Sequence, residues 1–256
     1  MVDVERYKKM VKKHRRKIAS LKNYDEMFAK LDTEKVGSLT TTSGRIVLCP
    51  LDDTEDEDGF IEYYYKAEAG TYPVELAKAP SGRNAALRIL FSEQPAARYE
   101  LALIGNEDEM DCISGLEAGR IPLYESCTAS PLFIIDQGLI PDFLDELRKN
   151  YPSSLSDQAY YEKCAKKLLL ESSTCEDAPE CGGFIDYYLE EDDAHIPIFV
   201  NGAGGGHHPI YWGFDSSEKI CQLVFDFNLK ELRDGSEDVK PGKWERYLMK
   251  LRHEGK

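Results

Sequence analysis

The sequence predicts an α+β fold with an antiparallel β-rich core, and three observations carry that expectation. Short segments of period two, rich in branched and aromatic residues, run from Val36 to Ile104 and resume after Gly183. A stretch of helical period, Pro141 to Ser172, interrupts them. An apolar stripe at three- and four-residue spacing precedes them. Runs of strands with the helices set apart from them make the class α+β.

In the N-terminal arm, residues 1–35, Val4, Tyr7, Val11, His14, Ile18 and Leu21 line one side of a helix for which Asp3 is an available N-cap. Lysines and arginines from Lys8 to Lys17 cover the remaining surface. A second short helix around Tyr24 to Leu31 links the arm to the body. The body, residues 36–256, reads as a single α+β domain. Its segments RIVLC, FIEYYY, YPVELA, AALRILF and RYELALI are separated by Gly, Pro, Ser or Asp and read as antiparallel strands. The helical insertion at about 141–172 has one part marked by Phe143, Leu144 and Leu147 and another by Tyr160, Tyr161, Cys164 and Leu168. FIDYYL, IPIFV, PIYWGF and ICQLVFDF restore the strand pattern, and Trp244, Tyr247, Leu248 and Leu251 outline a closing helix.

Charge narrows the classes of partner. The formal net charge is -15, split into +5 over residues 1–35 (11 Lys and Arg, 6 Asp and Glu) and -20 over the rest (21 and 41). Nucleic-acid binding needs a basic surface and is disfavoured, whereas a basic protein partner fits. No apolar run approaches the roughly 20 residues that span a bilayer, and the N-terminus is too charged for a secretory signal. The expected location is the cytoplasm, with no membrane association. Seven cysteines, an odd number, make no disulfide framework in such a chain and are expected as reduced, buried thiols.

Two heptapeptides, GFIEYYY at Gly59 to Tyr65 and GFIDYYL at Gly183 to Leu189, share one pattern, and the same offset aligns Pro73 with Pro197. The reading is a duplicated strand unit or two ordinary strands. Alternation sets Glu62 between Phe60 and Tyr64, and Asp186 between Phe184 and Tyr188. As a catalytic pair, Glu62 and Asp186 would need to face one cleft; as a structural pair, they keep exposed edges soluble.

NGAGGGHHPIYWG, Asn201 to Gly213, supplies the candidate binding residues His207, His208, Tyr211 and Trp212, with Asp215 just beyond. Its glycines permit positive φ and close approach of a ligand or another chain. The stretch fails as a dinucleotide fingerprint, because His207 stands at the third glycine and Pro209 opens a strand-like segment. It also lacks the lysine and hydroxyl of a P-loop. His207 and His208 with Cys175, Cys181 or His195 lack the spacing of a metal set, and Thr54 and Tyr65 occupy the first and last ligand positions of an EF-hand register on Gly59. No metal and no cofactor are expected. Cys127 or Cys164 would need a histidine nearby to act as a nucleophile, and burial is the preferred reading.

GSLTTTSGRIVLCPL, GTYPVELAKA, RILFSEQPAARYELAL and HPIYWGFDSSEKICQLVFDF together resemble a bacterial family known as domain of unknown function 4241. Ser43 to Ile46, Gly70 with Tyr72 to Glu75, Arg98 to Ala102, and Pro209 with Tyr211 to Gly213 and Asp215 match its patterns. Gly205 and His208 depart from them, standing where the family has an acid and an aromatic residue. The resemblance implies a cytoplasmic bacterial protein with a strand-rich core and, as the family has no established activity, little beyond that. Two functional readings follow: a non-enzymatic protein-binding module, immunity-type inhibitors being one such class, or a hydrolase or small-ligand protein using the glycine-rich His-His loop. The first is preferred.

Overall fold

Alternation along the strands sorts side chains onto two faces, and in most strands both faces are apolar, so each sheet has to be covered on both sides. The computed structural model describes residues 9, 23–51, 54, 60–103, 125–126, 131–150, 167–173, 175–176, 181–203 and 206–232. In chain order the first strands are β1 (Asp32–Thr41), β2 (Ile46–Pro50), β3 (Ile61–Glu62), β4 (Gly70–Lys78), β5 (Asn84–Leu90) and β6 (Arg98–Leu101). Then follow β7 (Glu125–Ser126), β8 (Leu132–Asp136), β9 (Phe184–Leu189), β10 (Ala194–Phe199), β11 (Gly206–His207), β12 (Ile210–Phe214) and β13 (Ile220–Asp226). Helix α1 is Tyr24–Lys30 and α2 is Ile140–Asn150.

Six strands form one sheet in the order β1-β4-β5-β13-β12-β6, five form a second in the order β3-β2-β8-β10-β9, and β11 pairs with β7. Every pairing is antiparallel. The inner faces meet in one apolar cluster: Val74, Leu76, Leu87, Ile89, Trp212, Leu223 and Phe225 from the first sheet pack with Ile46, Leu48, Ile134 and Phe199 from the second. Trp212 is fully buried at its centre, stacked on Phe91 at 5.7 Å and edge-on to Tyr63 at 6.3 Å.

The outer faces are covered by the helices. On the first sheet, Tyr24 and Phe28 of α1 bury Ala77, Ala86, Tyr211 and Val224. On the second, Phe143 and Leu147 of α2 bury Val47, Phe133, Ile135 and Ile196. The layers therefore run α1, first sheet, second sheet, α2. Helix α1 has only seven residues, too few to be stable alone, and it is set by its ends and its cover. The Asn23 side chain accepts from Glu26 N, and Lys30 pairs with Glu26 at 2.6 Å. Beneath it, Asp25 accepts from Arg88 (2.9 Å), Gln222 (3.0 Å) and Ala96 N (3.0 Å), while the Tyr24 hydroxyl donates to buried Asp226 at 3.0 Å.

The α+β, β-rich expectation holds, with differences in detail. β1 starts at Asp32, so a boundary after residue 35 falls inside a strand, and α1 is part of the body's packing. The stripe from Val4 to Leu21, the closing helix around Trp244 and the middle of the helical insertion lie outside the described residues. The two heptapeptides do not build a duplicated unit. β9 and β10 form a hairpin within the second sheet, whereas β3 lies in the second sheet and β4, carrying Pro73, in the first. Their burial is also reversed: Tyr63 and Ile61 face the core between the sheets, but Ile185 and Tyr187 face α2.

The Tyr63 hydroxyl and the Trp212 indole N–H are buried with no hydrogen-bond partner among the described residues. Burial pushes the Tyr63 pKa far up, so the hydroxyl remains protonated. These side chains are held by ring packing. Trp212→Ala is expected to cost about 3–5 kcal/mol by urea denaturation. Tyr63→Phe, which removes only an unsatisfied hydroxyl, is expected to be neutral or stabilising by up to about 1 kcal/mol.

Candidate functional site

Glu62 and Asp186 stand on the two outermost strands of the second sheet, with β2, β8 and β10 between them. At roughly 4.8 Å per strand step, that places them roughly 19 Å apart. They also point to opposite faces. Glu62 pairs with Val47, whose side chain joins the α2 cluster, whereas Asp186 lies on the face of Phe184 and Phe199, toward the first sheet. A paired-carboxylate mechanism needs a separation of about 5–10 Å, so the expected pairing of these two acids is corrected.

Each acid has its own partner instead. Arg45 grips Glu62 with two bonds, Nε to Oε1 at 2.6 Å and a terminal nitrogen to Oε2 at 2.5 Å. Both carboxylate oxygens of Asp186 lie 3.1 Å from His195 Nδ1. A carboxylate only accepts, so Nδ1 is the donor in this contact. Among the described residues no hydroxyl or thiol is bonded to Nε2, and the dyad has no nucleophile to activate. Its observed work is to join the sheets. Ser38 N donates to Asp186 Oδ1, and His195 N donates to Thr40 Oγ1 at 3.0 Å. Gly37, at a bulge of β1, passes so close that a Cβ would lie 2.6 Å from Asp186 Cγ.

The glycine-loop candidates do not converge. Trp212 is in the core, and Tyr211 points the other way, under α1, 5.3 Å from the Tyr24 ring. His208 is buried edge-on to Phe227. Asp215 closes the β12–β13 turn by accepting from Ser217 N (2.7 Å) and Lys219 N (3.0 Å). His207 pairs with Glu125 through the β11–β7 ladder. The surface-binding role expected for Tyr211, Trp212 and Asp215 is therefore corrected: two are packing residues and one is a turn cap. Glycine serves here to admit a neighbouring strand, because a Cβ on Gly202 would lie 1.9 Å from the Asn84 carbonyl oxygen. Gly204, Gly205, Cys127 and Cys164 lie outside the described residues. Among those described, no group of three His, Cys, Asp or Glu side chains could hold a metal ion.

The segments that carry the family resemblance are satisfied internally in the same way. Buried Asp136 accepts from Ser43 N (3.0 Å), Ser43 Oγ (2.9 Å), Thr42 Oγ1 (3.1 Å) and Gly138 N (2.9 Å), locking the Thr41–Gly44 turn to the end of β8. Gly44 takes φ +75°, and a Cβ there would lie 2.0 Å from the Ala67 carbonyl oxygen. Glu75 of the YPVE strand accepts from Arg88 at 2.8 Å. Arg98 of RYELA lies over the Phe214 ring at 4.1 Å and pairs with Glu100 at 2.5 Å.

One surface stands out by charge, and sequence reading did not single it out. The β9–β10 turn, Glu190 to Asp193, consists of four exposed acids in succession. Asp193 takes φ 50°, a conformation that Asp tolerates better than most residues. Asp142 and Glu146 of α2 add to this end, and Lys149 contributes a cation 3.4 Å from Glu191. Exposed Tyr188 sits at its margin, donating to Asp193 at 2.6 Å. Partial burial, then the charges of Asp142, Glu191 and Glu146, hold the Asp192 carboxyl above its usual range. The signal in the sequence was YLEEDDAH, a run of four acids between two strand patterns.

A raised folded-state pKa means that the fold favours protonated Asp192. The associated stability is complete below the unfolded value near 3.9 and is lost as pH rises through the raised value. Asp192→Asn is therefore expected to raise Tm at pH 7 by about 2 °C or less, with the difference from wild type closing toward pH 4. Melting curves across that range check it.

No helix among the described residues is long and apolar enough to cross a membrane. Neither curated protein sequences nor solved structures provide a match to the chain. A family model described as Protein of unknown function (DUF4241) matches residues 39–225, from near the end of β1 almost to the end of β13. That span takes in both sheets and the internally bonded segments above, and the chain belongs to this family.

Proposed function

We propose that the chain is a non-enzymatic protein-binding module of the bacterial cytoplasm that docks a basic partner, in the manner of an immunity-type inhibitor. The observation that supports this most directly is the acidic end formed by the β9–β10 turn and α2. There, exposed carboxylates from two elements, Glu190 to Asp193 of the turn and Asp142 of α2, lie together, and a cationic partner would meet them with complementary charge. The net charge of -15 adds long-range attraction for such a partner. Exposed Tyr188 offers an aromatic contact of the kind enriched at interfaces, next to the charged rim. Cys49, Cys175, Cys181 and Cys221 form no disulfide among the described residues, in keeping with a reducing compartment.

The hydrolase or small-ligand reading needs the Gly202 to Trp212 loop to converge in one pocket with Glu62, Asp186 or a histidine. Tyr211 and Trp212 lie on opposite faces of one sheet.

The binding reading is tested with the full chain immobilised beside a Glu191→Lys/Asp192→Lys variant. Both substitutions are at exposed turn positions, so folding is expected to be retained. A cognate partner is a basic protein that wild type retains at low salt and the variant does not. Its Kd is expected to weaken about tenfold or more on charge reversal, with most of the salt dependence in the association rate. Equal retention by both proteins, or an affinity unchanged by salt, overturns the reading.

A further inference from the structure

Cys175 and Cys181 stand apart from the other described thiols. Both are buried in a cluster of their own, at the entry to β9 and beside the β4–β5 turn. The chain comes close here, because a Cβ on Gly182 would lie 2.9 Å from Cys175 Cβ. Side chain and backbone of the β4–β5 turn reach both sulfurs. Arg83 donates to Cys181 Sγ at 3.3 Å and to the Gly202 carbonyl at 3.0 Å. The Cys175 thiol donates to the Ser81 carbonyl at 3.4 Å.

Arg83 is half-buried, and among the described residues no carboxylate pairs with it. Its fixed charge is directed at a sulfur. A guanidinium so placed favours the thiolate, the nucleophilic form of cysteine. Cys49 and Cys221 are different. Cys49 lies in the apolar cluster under α2, and burial, followed by the charges of Asp25 and Asp215, pushes the Cys221 thiol up to about 11. They serve as internal controls.

We propose that Cys181 is a peroxide-reactive thiol and that Cys175 is its resolving partner, the pair forming a reversible disulfide. The Cys181 thiolate attacks one oxygen of hydrogen peroxide, the O–O bond breaks, and hydroxide leaves to be protonated to water, giving a sulfenic acid. Cys175 then attacks the sulfenic sulfur, the S–O bond breaks, and its thiol proton leaves with the hydroxyl as a second water. Two thiols lose two electrons, and one peroxide is reduced to two waters. A dithiol reductant reverses the bond by exchange. Burial of both sulfurs selects a small oxidant over a protein disulfide. The acidic end lies at the opposite end of β9, six residues and roughly 20 Å away, so the proposal does not depend on the docking reading.

The test treats the reduced full chain with hydrogen peroxide, quenches with an alkylating reagent after set times, and reads each cysteine by peptide mass spectrometry. The expected product is a Cys175–Cys181 cross-link that dithiothreitol reverses, while Cys49 and Cys221 remain alkylatable after unfolding. In Cys175→Ser, dimedone is expected to trap sulfenic acid on Cys181. Arg83→Gln is expected to slow Cys181 oxidation about tenfold, with Arg83→Lys retaining most of the rate. Circular dichroism of each variant establishes that it is folded, and the wild-type time course decides the question without them. Cys181 oxidising no faster than Cys221, or oxidation stopping at sulfinic acid with no cross-link, overturns the proposal.

Discussion

Ring packing around Trp212 is the interaction on which the rest of the molecule depends. Two antiparallel sheets, neither stable as a separate layer, meet through Trp212, Tyr63, Phe199 and Phe225, and their contact fixes which face of every strand looks inward. Once that is set, the outer faces need cover, and α1 and α2 supply it. Carboxylates caught in these layers are then satisfied locally: Asp25 by Arg88 and Gln222, Asp226 by Tyr24, Asp136 by the Ser43 turn. The hydrogen bonds follow the packing, because an unmatched buried donor or acceptor costs about 1–3 kcal/mol.

This ordering explains why the segments that relate the chain to its family are parts of the scaffold. The SGRI turn, the YPVE strand, RYELA and the YWG strand all end in a buried side chain, a buried ion pair or a capped turn. The acidic turn between β9 and β10 is different in kind. Its four carboxylates remain exposed, and among the described residues only Glu191, with Lys149, and Asp193, with Tyr188, are tied to neighbours. A concentration of exposed like charge that the core does not use is where binding to another molecule is expected to act.

How much of this was legible in the sequence depended on whether alternation was visible. β4, β5, β9, β12 and β13 alternate or carry branched and aromatic runs, and were read nearly to their ends. LFIID, β8, is buried on both faces between β2 and β10, so it has no polar phase and gave no period-two signal. β1, DTEKVGSLTT, is an edge strand with a bulge at Gly37 and was too polar to read as a strand before Val36. The two heptapeptides misled for a physical reason. Identical letters specify which residues share a face, but the strand partner decides which face is inside, and β2 and β10 orient them oppositely. Tyr211 and Trp212 read as binding candidates because they follow the glycine-rich His-His stretch. Here α1 covers one and the second sheet covers the other. The Arg83–Cys181 contact joins residues 98 positions apart, and no local pattern could show it.

In the proposed function the acidic end is the working surface and the YWG strand is part of the frame. Hydrogen exchange of the full chain, alone and saturated with the basic partner, measures that division directly. Slowed exchange confined to the β9–β10 hairpin and α2, with β12 and β13 unchanged because they are already protected, is the predicted result. Slowed exchange centred on residues 201–209, with the hairpin and α2 unaffected, would contradict it.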